Sequence, residues 1–143
     1  MSLPKPITTA AAATLPTPPL NAPQCPAVNQ PVSSDFKILC HHIYEYHKGL
    51  RSLVLHTMDN AEQPLVEHCL SIRKISYCIY PLGEHRMNVF FGNDDCVEIV
   101  RGFHTHSLSN LTDEEDFMLG IMLGYDRAAQ CARFLKRRAA HRR

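Results

Sequence analysis

Histidine and cysteine are the side chains in this sequence best equipped for chemistry, so their spacing is weighed first. His41 and His42 are adjacent, His56 follows, and His104-Thr105-His106 forms a second group. A zinc site needs three or four ligands at recurrent spacings, and a helical pair needs them four residues apart. His42 and His47 are five apart and diverge on a helix. The spacing favours surface or capping histidines and predicts no metal ligands.

Cys25, Cys40, Cys69, Cys78, Cys96 and Cys131 include no C-x-x-C pair. Cys96 is the one thiol placed near a predicted helix start, where the helix dipole lowers a thiol pKa. Asp94 and Asp95 precede it and oppose that effect. Cys40, Cys69, Cys78 and Cys131 fall on apolar faces and read as small core residues. No catalytic residue is predicted. Gly92-Asn-Asp-Asp95 follows a strand and opens a helix, but it lacks the glycines and lysine that cradle phosphate. Its two carboxylates would repel an anion, and alone they are a poor cation site.

What remains is binding. Tyr44, Tyr46, Lys48 and Arg51, with His85 and Arg86 in a predicted turn, make a candidate interaction surface of aromatic and charged side chains. Interfaces favour aromatics and arginine. The competing reading is a solvated helix face.

Elements that would position these residues follow from apolar periodicity. Phe36, Leu39, Ile43 and Tyr46 recur at helical spacing and predict a helix over 36–48, with Gly49 as its C-cap. Arg51–Thr57 reads as a strand. Pro64 opens a second helix, carrying Leu65, Val66, Cys69 and Leu70 to about Lys74. Ile75–Tyr80 and Met87–Phe91 read as a hairpin turned at Gly83. Asn93 caps a further helix, with Asp94 and Asp95 in its first turn.

Thr112-Asp-Glu-Glu115 is a capping box. The stripe Phe117, Ile121, Tyr125, Ala128, Ala132 and Leu135 predicts one continuous helix of about five turns after it. Gly120 and Gly124 lie within that helix and each costs roughly 1 kcal/mol there. Close approach of another element would offset the cost.

The order α-β-α-β-β-α-α predicts an α+β fold. Its sheet would have three strands, mixed or antiparallel, packed against about four helices. A crossover helix makes the first two strands parallel, and the third then slots between them.

Eight of the ten prolines lie before residue 32. Residues 1–33 therefore read as a disordered Pro/Ala-rich leader, since proline removes backbone donors and little apolar surface is available to bury. Residues 34–138 read as the single domain and 139–143 as a basic end. Between residues 35 and 134 lie 14 acidic and 9 basic residues, a net −5, whereas Leu135–Arg143 carries +5. A mildly acidic body does not suit nucleic-acid binding. Neither a signal peptide nor a run of about 20 apolar residues is present, so the chain is expected to be cytoplasmic, with reduced thiols and no membrane partner.

Three stretches carry a family resemblance. They are His41–Tyr46 running through Lys48-Gly-Leu-Arg51 to Thr57, Met87–Gly92, and Leu111–Phe117 continuing to Asp126. Together they resemble a small bacterial domain family of anaerobes, Bacteroidetes and some proteobacteria, over roughly residues 36 to 135. The family has no assigned activity, and its genes often neighbour or fuse to flavodoxin genes. The resemblance implies a compact α+β domain and a flavodoxin-type partner, an acidic protein suited to basic or aromatic patches. The expected function is a non-enzymatic accessory or regulatory role in flavodoxin-linked electron transfer. The alternative is a small-molecule or metal-binding module. No cofactor is predicted.

Overall fold

The computed structural model describes residues 32–142. The leader expected over 1–33 lies outside the described residues, apart from Val32 and Ser33. The chain runs α1 (Ser34–His47), β1 (Leu53–Asp59), α2 (Gln63–Ile72), β2 (Ser76–Leu82), β3 (Arg86–Gly92), α3 (Asp94–Arg101), α4 (Asp113–Met122) and α5 (Arg127–His141). Single 3-10 turns precede α2 and α4, at Asn60–Glu62 and Leu108–Asn110.

The sheet is antiparallel throughout, in the order β1-β3-β2. The expected mixed or antiparallel sheet thus resolves to antiparallel, with the third strand between the first two. Helix α2 carries the chain back so that β1 and β2 run the same way. β3, returning from the hairpin, fills the gap and pairs with both. At its centre Val89 lies between His56 and Ile79.

Because β3 is central, both of its faces are covered. Met87, Val89 and Phe91 pack with Phe36, Leu39 and Ile43 of α1 and Val66 of α2. Phe90 points the other way, into Leu53, Cys78, Val97, Val100 and Leu119. The fold is three layers: α1 and α2, then the sheet, then α3 and α4. Such alternation along one strand is what a doubly covered sheet requires.

Local signals set the helix starts. Ser33 Oγ accepts from the Phe36 N–H (3.1 Å) and donates to Glu62 (2.6 Å), tying α1 to the approach to α2. Asn93 caps α3 by accepting from the Asp95 N–H (2.9 Å). Thr112 and Glu115 form both arms of the capping box.

The predicted last helix is wrong in one respect. It is two helices, so the fold has five where about four were expected. Gly124, at φ +83°, takes the left-handed conformation that ends a helix and that side chains resist. Its N–H donates to Ile121 O (3.1 Å), and the Tyr125 N–H donates to Gly120 O (3.1 Å). Asp126 then caps α5 by accepting from the Ala129 N–H (2.8 Å).

α5 folds back along α4, held by Arg133 on Asp116 (2.8 Å), Arg137 on Asp113 (3.0 Å) and Arg138 on Glu114 (2.6 Å). Gly120 of α4 leaves room for the Gln130 side chain of α5, the close approach expected of a bare glycine. α5 continues through His141, past residue 138. Among the described residues, no helix is long and apolar enough to cross a membrane.

Candidate functional site

The six residues proposed as one surface lie at the two ends of α1. Tyr44 sits under the Lys48 ammonium, 5.4 Å from the ring centre, and stacks on His41 at 6.4 Å. Tyr46 turns inward and meets Phe91 edge-on at 6.4 Å, so it is partly a core residue. Arg51 pairs with Glu45 (3.1 Å), which also faces His41 (3.2 Å) and His42 (3.4 Å).

Arg86 is elsewhere. It reaches Asp35 in the first turn of α1 (3.3 Å) and the Thr57 carbonyl (3.3 Å). His85 lies beside Glu84 at the exposed hairpin tip (3.9 Å). β1 runs back along α1, and its last residue Asp59 pairs with Arg86, so the hairpin tip reaches the start of the helix. The axial rise from Asp35 to His47 is roughly 18 Å. Tyr44, Lys48 and Arg51 therefore lie at the opposite end of α1 from His85 and Arg86.

Arg51 opens instead onto a cleft of about 480 Å³. One wall is Leu50, Arg51 and Ser52, and the other is Leu123 to Tyr125 with Arg127. Leu55 of β1 also lines it. Both walls are the same device. Gly49 ends α1 at φ +75° as Gly124 ends α4. The Leu50 N–H donates back to Glu45 O (3.0 Å) and the Gly49 N–H to Tyr46 O (3.0 Å).

In this helix ending the residue after the glycine commonly packs an apolar side chain back on the last turn. Here those residues are Leu50 and Tyr125, and they are 70 % and 56 % exposed. Each is followed within two residues by an arginine. Asp126 between Tyr125 and Arg127 is occupied as the α5 cap. Arg127 has no ion pair among the described residues. The rim thus presents two uncovered apolar side chains and two guanidinium groups.

A second cluster holds the loop before α4. Glu115 is 8 % exposed and accepts from the Thr112 N–H (3.0 Å), the His104 N–H (2.7 Å) and the His104 ring Nδ1. Burial pushes its carboxyl up, but the backbone N–H groups of Thr112 and His104, with the His104 ring and Thr112 hydroxyl, hold it down at about 2. His106 leaves this network and stacks on Tyr80 at 3.6 Å. Burial, then the Cys78 thiol beside it, pushes the Tyr80 hydroxyl up to about 12.

The histidine pair therefore serves two separate packing tasks. Among the described residues no three metal-competent side chains converge. Cys96 has its thiol pKa raised by burial and then by Asp95, the direction expected from the acidic helix start and the wrong one for a nucleophile. Asp94 accepts from the Ser76 hydroxyl, which ties the α3 start to β2.

Sequence reasoning missed Leu50, Tyr125 and Arg127, and it missed Glu115 as a hub. The Glu115 cap was visible, but its hold on His104, eleven residues upstream, has no local signature. Gly49 and Gly124 each precede a large apolar residue and then an arginine, and that repeated pattern was the one available signal for the cleft.

Comparison with known proteins places residues 37–137 on a family described as "Protein of unknown function (DUF2023)". No curated protein matches the chain. The family match spans well over half of the sequence and takes in both helix-ending turns that wall the cleft, so the chain belongs to the DUF2023 family.

Proposed function

We propose that this protein is a non-enzymatic accessory protein of the cytoplasm that docks an acidic electron carrier of the flavodoxin type through the cleft between α1 and the α4–α5 turn. One observation carries the reading. Leu50 and Tyr125 both line the cleft and are exposed, with Arg127 beside one and Arg51, held on Glu45, beside the other. Exposed apolar side chains next to guanidinium groups are the composition of a protein-binding patch. Arginine forks match carboxylates in two-point contacts. The flavodoxin identity rests on the resemblance of the three sequence stretches, and the acidic character of the partner on the arginines.

The basic C-terminal end contributes less than its sequence charge suggests. Arg137 and Arg138 are committed to Asp113 and Glu114. Lys136 and Arg142 remain for long-range steering, which speeds encounter more than it adds affinity.

Titration calorimetry with a purified flavodoxin at low salt tests the reading. Binding should weaken steadily as salt rises, and Arg127→Ala should weaken it about tenfold, the loss of one interface arginine. No heat at low salt would remove the proposal.

A second reading has its own support. The cleft volume lies within the ~300–1,000 Å³ usual for small-molecule sites. A small anion seated between Arg51 and Arg127 would appear as added mass in native mass spectrometry, without any partner protein.

A further inference from the structure

Leu55 and Thr57 turn their backbone groups away from the sheet. The Asn93 N–H donates to Ser52 O (2.8 Å) and the Asn60 N–H to His85 O (3.0 Å), one at each end of β1. Both contacts continue the β1–β3 register. In an antiparallel pair, residues that exchange bonds alternate with residues that do not. Val54, His56 and Met58 therefore bond to β3, and Leu53, Leu55 and Thr57 point their N–H and C=O to the outer edge. Leu53 is fully buried. Arg86 donates to Thr57 O (3.3 Å). The Leu55 N–H, the Leu55 C=O and the Thr57 N–H have no hydrogen-bond partner among the described residues, and both residues are only half-buried.

The opposite edge of the sheet is interrupted. By the same alternation the outward groups of β2 belong to Tyr77, Ile79 and Pro81. Pro81 lacks an N–H, and Arg101 takes Tyr77 O (2.7 Å). Proline and charged side chains are usual means of keeping an edge strand from pairing.

A groove runs beside the open stretch of β1. Leu55, Leu123 and Tyr125 line both the cleft of about 480 Å³ and a second hollow of about 290 Å³, so the two are continuous. Leu108, Leu111 and Leu119 supply apolar lining to the second hollow. The side-chain amide of Gln130 also lines it and has no hydrogen-bond partner among the described residues. Arg127 stands at the cleft end.

We propose that an acidic partner protein enters this groove as an extended segment and pairs with β1 as a fourth strand. This rests on the reading of the cleft as a protein-docking site and adds the form of what enters it. The segment is a peptide in β conformation, with apolar side chains at alternate positions and a carboxylate for Arg127. Open N–H and C=O groups on an edge are satisfied by another extended backbone, and adjoining hollows then read every second side chain. A glutamine amide both donates and accepts, as a peptide group requires. The Arg127 guanidinium matches a carboxylate. The leader of this same chain fits less well. Residues 1–33 hold no acidic residue and eight prolines, each without an N–H.

Hydrogen–deuterium exchange of the full chain, read residue by residue by NMR, tests the proposal. In the free protein the Leu55 and Thr57 amides should exchange at least about tenfold faster than those of Val54 and His56. Protection of Leu55 in the free chain at every concentration would assign the edge to the leader. Protection that grows with concentration would assign it to a second copy. Either result overturns the proposal. A pool of short peptides, degenerate at every position, is then selected on the immobilised protein. Selected sequences should alternate apolar and polar residues and carry Asp or Glu at one fixed place. A selected peptide should slow Leu55 exchange at least about tenfold. Methylating its edge-facing backbone nitrogens should lower its affinity at least about tenfold, and Arg127→Ala should lower it by about tenfold. No enriched peptide, unchanged Leu55 exchange, or equal binding by the methylated form overturns strand pairing. Intact flavodoxin separates the two readings. If it binds and leaves Leu55 exchange unchanged, strand pairing is overturned and the docking reading stands. If it does not bind while the peptide protects Leu55, the flavodoxin reading falls and strand pairing stands.

Discussion

Leu50 and Tyr125 hold the same position in two helix-ending turns, one residue past a left-handed glycine, and both line one cleft. In each turn the backbone closes in the usual way, yet the apolar side chain that could pack back on the helix is left in water. Neither helix depends on these side chains for its cap. Leu50→Ala and Tyr125→Ala should therefore change folding stability by no more than about 0.5 kcal/mol, the range for exposed positions. Each should weaken flavodoxin binding by severalfold. Urea melts read beside calorimetry separate the two effects. A large loss of stability would show that these side chains serve packing instead.

Glu115 gives a pH-dependent prediction. Its folded pKa is about 2, below the ordinary value of 4.5. A depressed carboxylate contributes stability that is fully present above its ordinary pKa and is lost as pH falls toward the folded value. The contribution should fade between about pH 4.5 and pH 2. Glu115→Gln keeps a carbonyl for the Thr112 N–H but loses the charge, so it should cost about 1–2 kcal/mol at neutral pH. Urea denaturation of parent and variant should converge as pH falls through that window. A constant difference would remove the linkage. Asp113 and Asp116 are also held low, Asp113 first by His141 and Asp116 first by Arg133. Both remain in the variant, so only the difference between the two proteins reports on Glu115.

Gly124 allows the helix break to be tested directly. At φ +83° an alanine is strained by roughly 1–2 kcal/mol. Gly124→Ala should lower the melting temperature and disturb the α4–α5 hairpin. It should also weaken flavodoxin binding, because the turn forms one wall of the cleft. Gly120→Ala tests a different cause, since the nearest atoms its Cβ would meet belong to the Gln130 side chain, from the amide oxygen in to Cγ, and not to backbone. That variant should be the milder of the two. Equal losses would mean that the left-handed turn is not the dominant constraint.

This pair of glycines shows how far the sequence could be read. Strand alternation and the crossover helix placed β3 between β1 and β2, because sheet order is constrained by local periodicity plus handedness. The capping box at Thr112 was legible because all its partners lie within four residues. The stripe from Phe117 to Leu135 kept helical spacing across Gly124, so periodicity ran straight through a turn. The break depends on a backbone conformation that only the Gly124 and Asp126 pair announces. The cleft was less legible still. Leu50 and Tyr125 are 75 positions apart, and their meeting depends on how α4 docks on the sheet. The expected surface is spread out for a related reason: chain neighbours suggested a compact patch, whereas the hairpin tip is carried to the other end of α1.

That separation allows a control. His85 and Arg86 lie at the start of α1, and Arg51 and Arg127 lie at the cleft. If the cleft docks an acidic carrier, the two arginine groups behave differently although their charge is alike. Replacing both His85 and Arg86 by alanine removes the exposed Arg86–Asp35 pair, the Arg86 bond to the Thr57 carbonyl and the His85–Glu84 contact, and should cost about 1 kcal/mol of stability. The flavodoxin affinity and its dependence on salt should stay as in the parent. Replacing both Arg51 and Arg127 by alanine removes two cations from the contact itself. Affinity should fall at least about tenfold at low salt, and the salt dependence should flatten as charge leaves the interface. Arg51→Ala alone also releases Glu45, whose carboxylate would then repel an acidic partner. The single Arg51 variant should therefore lose more affinity than the single Arg127 variant. Equal sensitivity at the hairpin tip would show that binding follows net charge and not this cleft.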